Sequence, residues 1–584
     1  MLEDILLQVN KPGRYIGQEW NVARKDFSLA NIKFALCFPD LYELGMSNLG
    51  IRIIYGILNA LGDVVCERFF SPGTDMEGLL RQGKVGFFSL ESKRRLMDFD
   101  IVGFSLGYEL NYTNVLNILE LGSIPLESSL RNHTHPLVIG GGPCGLNPEP
   151  MHEFFDLFVI GEAEEAILEI IDVYRKYKEK FKASGMTRQD LLILFSRIEG
   201  VYAPSLYEVT YADTGKIEKF KPKREGVPVR IKKRFVKDLD KAFFPLDWLT
   251  PYIQIVHDRI SVEIMRGCPN RCRFCQARSQ YFPLRFRNPQ NILSIVSDVY
   301  RRTGYEEVSL CGLSVSDYQH IEWVLEAMVG LFKERAVGIS LPSVKPRAYL
   351  GNLSSLIATI KKTGLTFAPE AATERLRNIL GKDFDEEDFF KTIEKIYASG
   401  YQHVKLYFMI GLPHEGSQDL DGIIDFALRV SELRRSAHNG PAWVNVSINT
   451  LIPKPHTPLE WLGVRSLDEI KYKQDYLRNR VRNRRLKLFF HNRYMSILEA
   501  VLSRGDRRLS RVIYSAFKQG ARFDAWDDYF KFAYWQRAFS ESNIDFNFYL
   551  QERSPDEFLP WDFLDVGIDK GSLLSEFEKT IAIE

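Results

Sequence analysis

Three cysteines lie within eight positions of the stretch EIMRGCPNRCRFCQAR, at Cys268, Cys272 and Cys275. The chain has only seven cysteines in 584 residues, so the spacing C-x3-C-x2-C is a local feature. Thiolates hold iron–sulfur clusters, and a four-iron cube with three thiolate ligands keeps one iron open for another molecule. Zinc sites favour paired C-x2-C or C-x2-H units, and no second pair exists here. The spacing favours a cluster, with zinc or unrelated thiols as the alternatives.

The composition is that of an ordinary globular protein, with 45% hydrophobic and 26% charged residues. The 77 Lys and Arg residues nearly balance the 76 Asp and Glu residues, so nucleic-acid binding would need a local basic patch. The first 20 residues carry early acids and no long apolar core, which argues against a signal peptide, and no apolar run reaches membrane-spanning length. We therefore expect a cytoplasmic protein without membrane contact, whose cysteines stay reduced.

The cysteine loop follows an apolar strand-like segment, SVEIM, and is followed by alternating strand and helix patterns. Such alternation predicts a parallel sheet with right-handed crossovers. Counting the first strand gives about six units, which predicts a partial barrel over residues 249–460 with ligands at the carboxyl ends of its strands. The later strand candidates are residues 306–313, 336–344, 365–371, 403–413 and 443–453.

Residues 31–175 repeat an apolar strand followed by a Gly- or Pro-rich turn and a helix. This pattern predicts a doubly wound α/β domain after a short N-terminal segment, residues 1–30. The turn at residues 140–142 is three glycines long, which permits close approach of a ligand to the backbone.

The remaining regions are a connector, residues 176–248, and a mostly helical C-terminal extension, residues 461–584. The basic stretch at 216–241 is interpreted as extended chain that could wrap one domain on the other. Residues 472–493 concentrate arginines on a predicted helix, which could contact RNA phosphates or a phosphorylated substrate. A solvated surface helix is the plainer interpretation, so nucleic acid stays a possible partner.

With Phe274, the cysteine loop meets the C-x3-C-x-aromatic-C signature and resembles the radical S-adenosylmethionine (SAM) superfamily. The resemblance implies a [4Fe-4S] cluster on the three cysteines, which act as catalytic metal ligands. It also implies that SAM binds the open iron and is cleaved to a 5'-deoxyadenosyl radical, with electrons from a donor such as flavodoxin or ferredoxin.

Further segments resemble SAM-binding parts of that superfamily. The segment CGL stands where the family has a Gly-Gly-Glu-like motif that binds through backbone, although the acid is missing. Glu370 is the contact implied for the amino or ribose group, and Met409 or Ile410 would pack on adenine. The SAM-binding residues implied by the resemblance are Phe274, Cys311, Gly312, Leu313, Glu370, Met409 and Ile410.

The N-terminal domain resembles the cobalamin-binding domain that precedes many radical SAM cores. Where such domains with a lower axial histidine have D-x-H-x-x-G, this chain has a tyrosine, and a phenol is a poor substitute for imidazole. Cobalamin would then bind without that ligand, or the domain is a scaffold only. The candidate cobalamin residues are Asp40, Tyr42, Gly45, Gly141, Gly142, Gly161 and Glu162.

The three-part layout, with RGDRR at 504–508 and LPWDFLDVG near the C-terminus, resembles an uncharacterised bacterial radical SAM family. This resemblance implies no established substrate. The favoured function is cobalamin-dependent methyl transfer by a radical SAM enzyme. The alternatives are a radical modification without cobalamin, such as methylthiolation of RNA or peptide, and a non-catalytic RNA-binding protein with a structural metal.

Overall fold

The computed structural model describes residues 2–340, 365–436, 438 and 440–582. In these residues an N-terminal α/β domain, a partial barrel and a mostly helical C-terminal region follow one another, which confirms the predicted fold class. No helix in the described ranges combines the length and apolar character that crossing a membrane would require.

The N-terminal domain is built around a six-stranded sheet in the order β2-β1-β3-β4-β5-β6. The first five strands are parallel and β6 is antiparallel. Apolar side chains cover both faces, as expected for a parallel sheet between helices. Its strands are β1 (Ile32–Phe38), β2 (Val64–Phe70), β3 (Ile101–Ser105), β4 (Leu137–Gly141), β5 (Leu157–Val159) and β6 (Val201–Tyr202), and its helices are α1 (Leu2–Leu6), α2 (Gly13–Ile16), α3 (Tyr42–Gly45), α4 (Leu49–Ala60), α5 (Thr74–Arg81), α6 (Tyr112–Leu121) and α7 (Ala163–Lys182).

The partial barrel consists of two parallel sheets, one of three strands and one of four. Between them lie residues 341–364, so the end of the strand predicted at 336–344 falls outside the described residues. The first sheet has the order β10-β13-β14 and the second the order β15-β16-β17-β18. The strands of the two sheets are β10 (Ile260–Glu263), β13 (Glu307–Cys311), β14 (Gly338–Ser340), β15 (Leu365–Glu370), β16 (His403–Ile410), β17 (Trp443–Thr450) and β18 (Leu486–Phe490). A separate antiparallel ribbon consists of β11 (Met265–Arg266) and β12 (Arg285–Phe286). The helices are α9 (Gln276–Gln280), α10 (Pro289–Thr303), α11 (Ile321–Phe332), α12 (Glu374–Leu380), α13 (Glu386–Ala398), α14 (Ser417–Glu432) and α15 (Leu467–Arg480).

One sequence interpretation needs correction at the end of the barrel. Residues 472–493 were expected to be one arginine-rich helix, but α15 ends at Arg480 and β18 pairs parallel with β17. The segment LKLFF has the apolar and aromatic character of a strand, and the arginines before it occupy the turn. The described sheets therefore hold seven parallel barrel strands, one more than the sequence predicted.

The four-stranded sheet has two different faces. Val404, Leu406 and Phe408 on β16 alternate with Lys405 and Tyr407, and only the first three belong to the apolar core formed with α13 and α14. Because successive side chains of a strand point to opposite faces, the odd-numbered residues lie on the concave face of the barrel. That face is polar and partly exposed.

The connector is more ordered than the sequence indicated. It contains α8 (Arg188–Phe195), an antiparallel pair of β7 (Tyr207–Tyr211) and β8 (Ile217–Pro222), and the short β9 (Ile231–Lys232). Thus 217–222, expected as extended connector, is a hairpin strand. β9 pairs parallel with β19 (Leu564–Asp565), and the rings of Phe220 and Phe563 stack with centroids 4.3 Å apart. The C-terminal helices are α16 (Arg493–Ser503), α17 (Leu509–Lys518), α18 (Phe532–Glu541) and α19 (Lys570–Ile581).

Candidate functional site

The cysteine loop begins at a two-stranded ribbon and ends at α9. Met265 pairs with Phe286 and Arg266 with Arg285, so the two arms of the loop are held side by side. Gly267 has φ +90°, and a Cβ there would lie 2.8 Å from the Leu284 Cα. A glycine is therefore required just before the first cysteine, because only glycine adopts this conformation at such a close approach.

The three predicted cluster ligands share this loop. Cys272 is 8% exposed, and Cys268 and Cys275 are partly buried. The Asn270 side chain donates to the Cys268 Sγ at 3.3 Å and to Asp317 at 2.8 Å. Burial raises the pKa of the Cys275 thiol, and backbone N–H groups of the following turn partly offset this. Hydrogen bonds to thiolate sulfur are a feature of iron–sulfur sites, so the surroundings of the loop fit a cluster.

No three Cys, His, Asp or Glu side chains in the described ranges are grouped as ligands of a single metal ion. The three cysteines of the N-terminal domain, Cys37, Cys66 and Cys144, are buried. Burial raises the pKa of each of these thiols well above its usual value. They behave as small apolar core residues.

The loop docks on the last turn of α12, the helix that follows β15. The Arg273 backbone N–H donates to the Leu380 carbonyl at 2.8 Å, and its guanidinium donates to the Ile379 carbonyl at 2.8 Å. Phe274 packs against the apolar cluster that contains Met409. The aromatic residue of the cysteine motif and the predicted adenine-packing residue therefore belong to the same apolar region.

Met409 and Ile410 have opposite orientations. Met409 is 8% exposed and belongs to the cluster around the cysteine loop, whereas Ile410 is fully buried against the outer helices. The strand period of two explains the difference. Of the two predicted adenine contacts, Met409 is the one on the concave face.

Glu370 ends β15 in a strained conformation. Its φ is +68°, and an extra residue between Phe367 and Glu370 makes a bulge against β16. Non-glycine residues in this region cost about 1–3 kcal/mol and concentrate at functional sites. Burial raises the pKa of Glu370 to about 7, and Lys382 offsets only part of that rise. Its carboxylate has no hydrogen-bond partner among the described residues, which suits a ligand cation.

We expect Glu370→Gln to weaken SAM binding about tenfold at pH 7.5, because a charge-assisted hydrogen bond to the ligand amine is lost. In the unaltered protein the affinity should rise between pH 6 and 7.5, as Glu370 deprotonates through about 7. The variant should show no such rise. Calorimetric titration of the cluster-loaded protein with SAM measures both effects.

The matched control is Glu374→Gln, an exposed acid at the start of α12. Glu370 also makes the stability of the protein depend on pH. Because its pKa is higher in the folded than in the unfolded protein, its contribution to the free energy of unfolding falls as pH rises from about 4.5 to 7. Glu370→Gln should remove that slope from the thermal unfolding profile. Equal pH dependence in both variants would contradict the assignment.

The segment from Cys311 to Leu313 lies at the carboxyl end of β13, next to the strand that leads to the loop. Cys311 pairs with Glu263, and its carbonyl accepts from the Ile264 N–H at 3.0 Å. A Cβ at Gly312 would lie 2.6 Å from the Met265 side chain, and Leu313 is 39% exposed. The position at a strand end agrees with the expected backbone contact to SAM.

A cavity of about 460 Å³ lies at the edge of the N-terminal sheet. Its walls include Phe34 and Leu36 of β1 and Ser105 of β3, the two strands between which the chain order reverses. Ligands of doubly wound sheets bind at this switch point. Four of the predicted cobalamin residues line the cavity: Gly141, Gly142, Gly161 and Glu162.

The other three predicted cobalamin residues lie away from this cavity. The Tyr42 hydroxyl donates to Glu19 at 2.9 Å inside the N-terminal domain. Asp40 accepts from the Trp526 indole at 3.0 Å, and a Cβ at Gly45 would meet the Phe70 ring at 2.1 Å. Their contacts are those of a packed core and a domain junction.

The cavity is shared with the barrel. Its remaining wall contains Glu263, Arg266, Gln280 and Tyr281, which flank the cysteine loop on both sides. A ligand in the N-terminal domain would therefore face the strand and helix that hold the cysteines.

An ion-pair cluster, not foreseen from the sequence, joins the two domains at this wall. The Arg266 guanidinium lies 2.8 Å from both Glu162 and Glu164 and 2.7 Å from Glu263, and Arg285 lies 2.7 Å from Glu162. Burial would raise the pKa of Glu162, but Arg285 and Arg266 outweigh it and the net pKa is lowered. The GEAEE stretch thus anchors the arms of the cysteine loop.

A second junction also escaped the sequence analysis. The Lys454 ammonium, after β17, lies 2.8 Å from Glu109 of the N-terminal domain and 2.9 Å from Glu499 of α16. The Tyr108 hydroxyl donates to Glu499 at 2.7 Å. All three regions therefore meet where the chain leaves the carboxyl ends of β17 and β3.

Comparison with known proteins finds family models that match two stretches of the chain. The model of radical SAM proteins, N-terminal, matches residues 50–204, and that of the radical SAM superfamily matches residues 262–427. An uncharacterized protein of Methanocaldococcus jannaschii, MJ0966, is 27% identical over 482 residues, which cover 82% of this chain and 90% of the relative.

Two further similarities are weaker. A tRNA-2-methylthio-N(6)-dimethylallyladenosine synthase of Desulforamulus reducens is 23% identical over 182 residues, which cover 29% of this chain and 39% of the synthase. The structure of the cobalamin-dependent SAM radical enzyme OxsB with aqua-cobalamin and SAM bound is similar with a TM-score of 0.49 and 12% identity. That alignment covers 99% of this chain and 84% of OxsB.

Proposed function

The chain belongs to the radical SAM superfamily, and from this premise we propose that it is a cobalamin-dependent methyltransferase. The observation that carries the proposal is the cavity between the N-terminal sheet and the strand leading to the cysteine loop. A cofactor held there would lie next to the SAM site, which methyl transfer requires.

The family uses a [4Fe-4S] cluster and SAM. When bound, these supply the radical chemistry, and a corrinoid would supply a methyl carrier. The residues of this chain then have the tasks of binding, orientation and exclusion of water. Cys268, Cys272 and Cys275 would ligate three irons, and the buried position of Cys272 would shield the cluster from solvent.

The SAM site would be formed by the strand ends around the loop. Glu370 would accept from the ligand amine, and the backbone of residues 311–313 would bind it from the neighbouring sheet. Adenine would pack on the apolar cluster that contains Met409 and against which Phe274 packs. These four elements lie at the carboxyl ends of β13, β15 and β16 and after β11, where ligands of parallel barrels bind.

The N-terminal cavity would hold the corrinoid through its shape and apolar walls. Phe34, Leu36 and Ile139 give the cavity apolar walls, and Glu162 and Arg266 add polar groups to its lining. Tyr42 lies outside the cavity, so no phenol ligand from that position is proposed. We place the enzyme in the cytoplasm with flavodoxin or ferredoxin as electron donor, since the cluster needs an external reductant.

The deciding experiment is anaerobic purification from cells supplied with cobalamin, followed by quantitation of iron, sulfide and corrinoid per chain. We expect about four irons and stoichiometric corrinoid. Four irons without corrinoid would reject methyl transfer and favour a radical modification without cobalamin. Zinc in place of iron would reject the enzyme.

Filling the cavity should prevent corrinoid binding without affecting the iron–sulfur cluster. Gly107 lines the cavity, and a Cβ added there meets no atom within 4 Å, so Gly107→Trp should fit without disturbing the fold. We expect corrinoid occupancy to fall at least about tenfold, because the indole occupies ligand space, while iron content stays unchanged. The matched control is Gly330→Trp, at an exposed position of α11 with equally open surroundings. Unchanged corrinoid in Gly107→Trp would contradict this location.

A further inference from the structure

Two lysines stand in register on the concave face of the barrel. Lys405 of β16 pairs with Asn445 of β17, which pairs with Lys487 of β18. Because neighbouring strands lie about 4.8 Å apart, the two lysine Cα atoms are separated by about 10 Å. Asn445 lies between them, so two ammonium groups and an amide form one row across three strands.

Both lysines lean toward the carboxyl end of the barrel. The Lys405 Nζ lies 4.5 Å from the centroid of the Tyr407 ring, and the Lys487 Nζ lies 4.9 Å from that of Phe489. Each ring stands two residues further along the same strand. The ammonium groups are therefore directed up the wall toward the cysteine loop, and Ser447 occupies the position between the two rings.

The charge of this row is unbalanced. Neither ammonium has a carboxylate partner among the residues that the structure describes. On the opposite sheet the acids of the same face are neutralised, since Glu263 pairs with Arg266 and Glu307 with Arg259 at 2.7 and 2.8 Å. With the whole chain at a formal net charge of only +1, this wall is a local positive surface.

The wall is also open. Phe489 is 42% exposed, and Lys405, Tyr407 and Ser447 are partly exposed, although they lie inside a barrel. The interior of a closed eight-stranded barrel is filled by packed side chains, whereas the side chains of this wall are left partly exposed. Open, hydrogen-bonding side chains with two cations and aromatic rings instead form a binding surface.

We propose that this wall anchors the substrate, and that the substrate carries an anionic acid group, a carboxylate or a phosphate, which Lys405 and Lys487 bind together. The inference rests on the proposed function, since it names the substrate class of the same barrel. The lysine row starts four residues below Met409, a distance of about 13 Å along the strand. Since the lysine side chains cover part of this distance, the acid group lies below the cysteine loop and the reacting carbon on the order of 10 Å away from it, near the loop.

Amine-acetylation footprinting of the full, cluster-loaded chain tests the proposal. The probes are phenyl phosphate, benzoate and the neutral benzyl alcohol, and the readout is the extent of acetylation of each lysine by peptide mass spectrometry. We expect phenyl phosphate, benzoate or both to lower acetylation of Lys405 and Lys487 at least fivefold, with benzyl alcohol inactive. The internal control is Lys391, which is exposed on the outer helix α13 and should not change.

The two acids distinguish the source of the anion, since protection by only one of them identifies a phosphate or a carboxylate substrate. Equal protection by benzyl alcohol, or no protection by either acid, overturns the proposal. Calorimetric titration with the protecting acid adds a second measurement: Lys405→Gln and Lys487→Gln should each weaken binding about tenfold, and Lys391→Gln should not.

The footprint does not depend on SAM cleavage, so the two proposals fail in different ways. SAM cleavage to 5'-deoxyadenosine without acid protection rejects only the anionic substrate. Acid protection in a protein that binds no cluster and cleaves no SAM rejects the proposed enzyme and retains an anion-binding wall.

Discussion

Cys272→Ala is expected to remove the iron–sulfur cluster and to lower SAM cleavage by about a thousandfold or more, the scale typical of losing one member of a catalytic unit. Cys272 is the most buried of the three loop cysteines. Two remaining thiolates cannot complete a four-iron cube that also leaves one iron for SAM. Anaerobic quantitation of iron and of 5'-deoxyadenosine measures the two losses.

The matched control is Cys66→Ala, a change of the same chemistry on β2 of the N-terminal core. It should keep about four irons and unchanged SAM cleavage, because Cys66 lies in the apolar core of another domain. A Cys272→Ala protein that keeps its iron, or a Cys66→Ala protein that loses it, would show that the cluster lies elsewhere.

Arg266→Leu should have the largest effect on stability. It removes the shared partner of three carboxylates: Glu164 and Glu263 lose their cation, and Glu162 keeps only Arg285. Removing one member of a buried ion-pair group typically costs 3–5 kcal/mol. We therefore expect a lower thermal unfolding midpoint and loss of the junction between the N-terminal domain and the barrel, seen as increased proteolysis of the connector.

The comparison variant is Arg301→Ala, which breaks an exposed pair with Asp298 and should cost only about 0–1 kcal/mol. Acidification gives an independent check. The folded pKa of Glu162 is lowered, so its contribution is present above the unfolded pKa and is lost as pH falls through the folded one. If both variants unfolded at the same temperature, the ion-pair cluster would not be a determinant of the junction.

The sequence predicted the features that depend on residues close to one another in the chain. The cysteine spacing indicated the loop, and alternating strand and helix patterns indicated both α/β regions, because hydrophobic periodicity is a local signal. The position of Met409 rather than Ile410 on the concave face follows from the strand period, but only once the outer face is known. The strand β18 was not predicted, because the arginines before its short apolar run have the pattern of an exposed helix surface.

What could not be predicted depends on contacts distant in the chain. Arg266 and Glu162 are 104 positions apart, and nothing near either residue identifies its partner. The bulge before Glu370 has a local cause in Pro369, which cannot donate a ladder hydrogen bond, but its register against β16 depends on a strand distant in the chain. Tyr42 stands at a motif position typical of a cofactor ligand, yet its hydroxyl is used by Glu19 of the preceding segment.

The pairing of β9 with β19 has a consequence for how the chain reaches this structure during synthesis. At 5–20 residues per second, the roughly 330 residues between these strands take about 15 s to a minute to leave the ribosome. Until then β9 has no partner strand, and the ring of Phe220 lacks Phe563. β9 must wait, unpaired, for almost the last residues of the chain, so a nascent chain in this interval exposes a strand edge that chaperones would recognise.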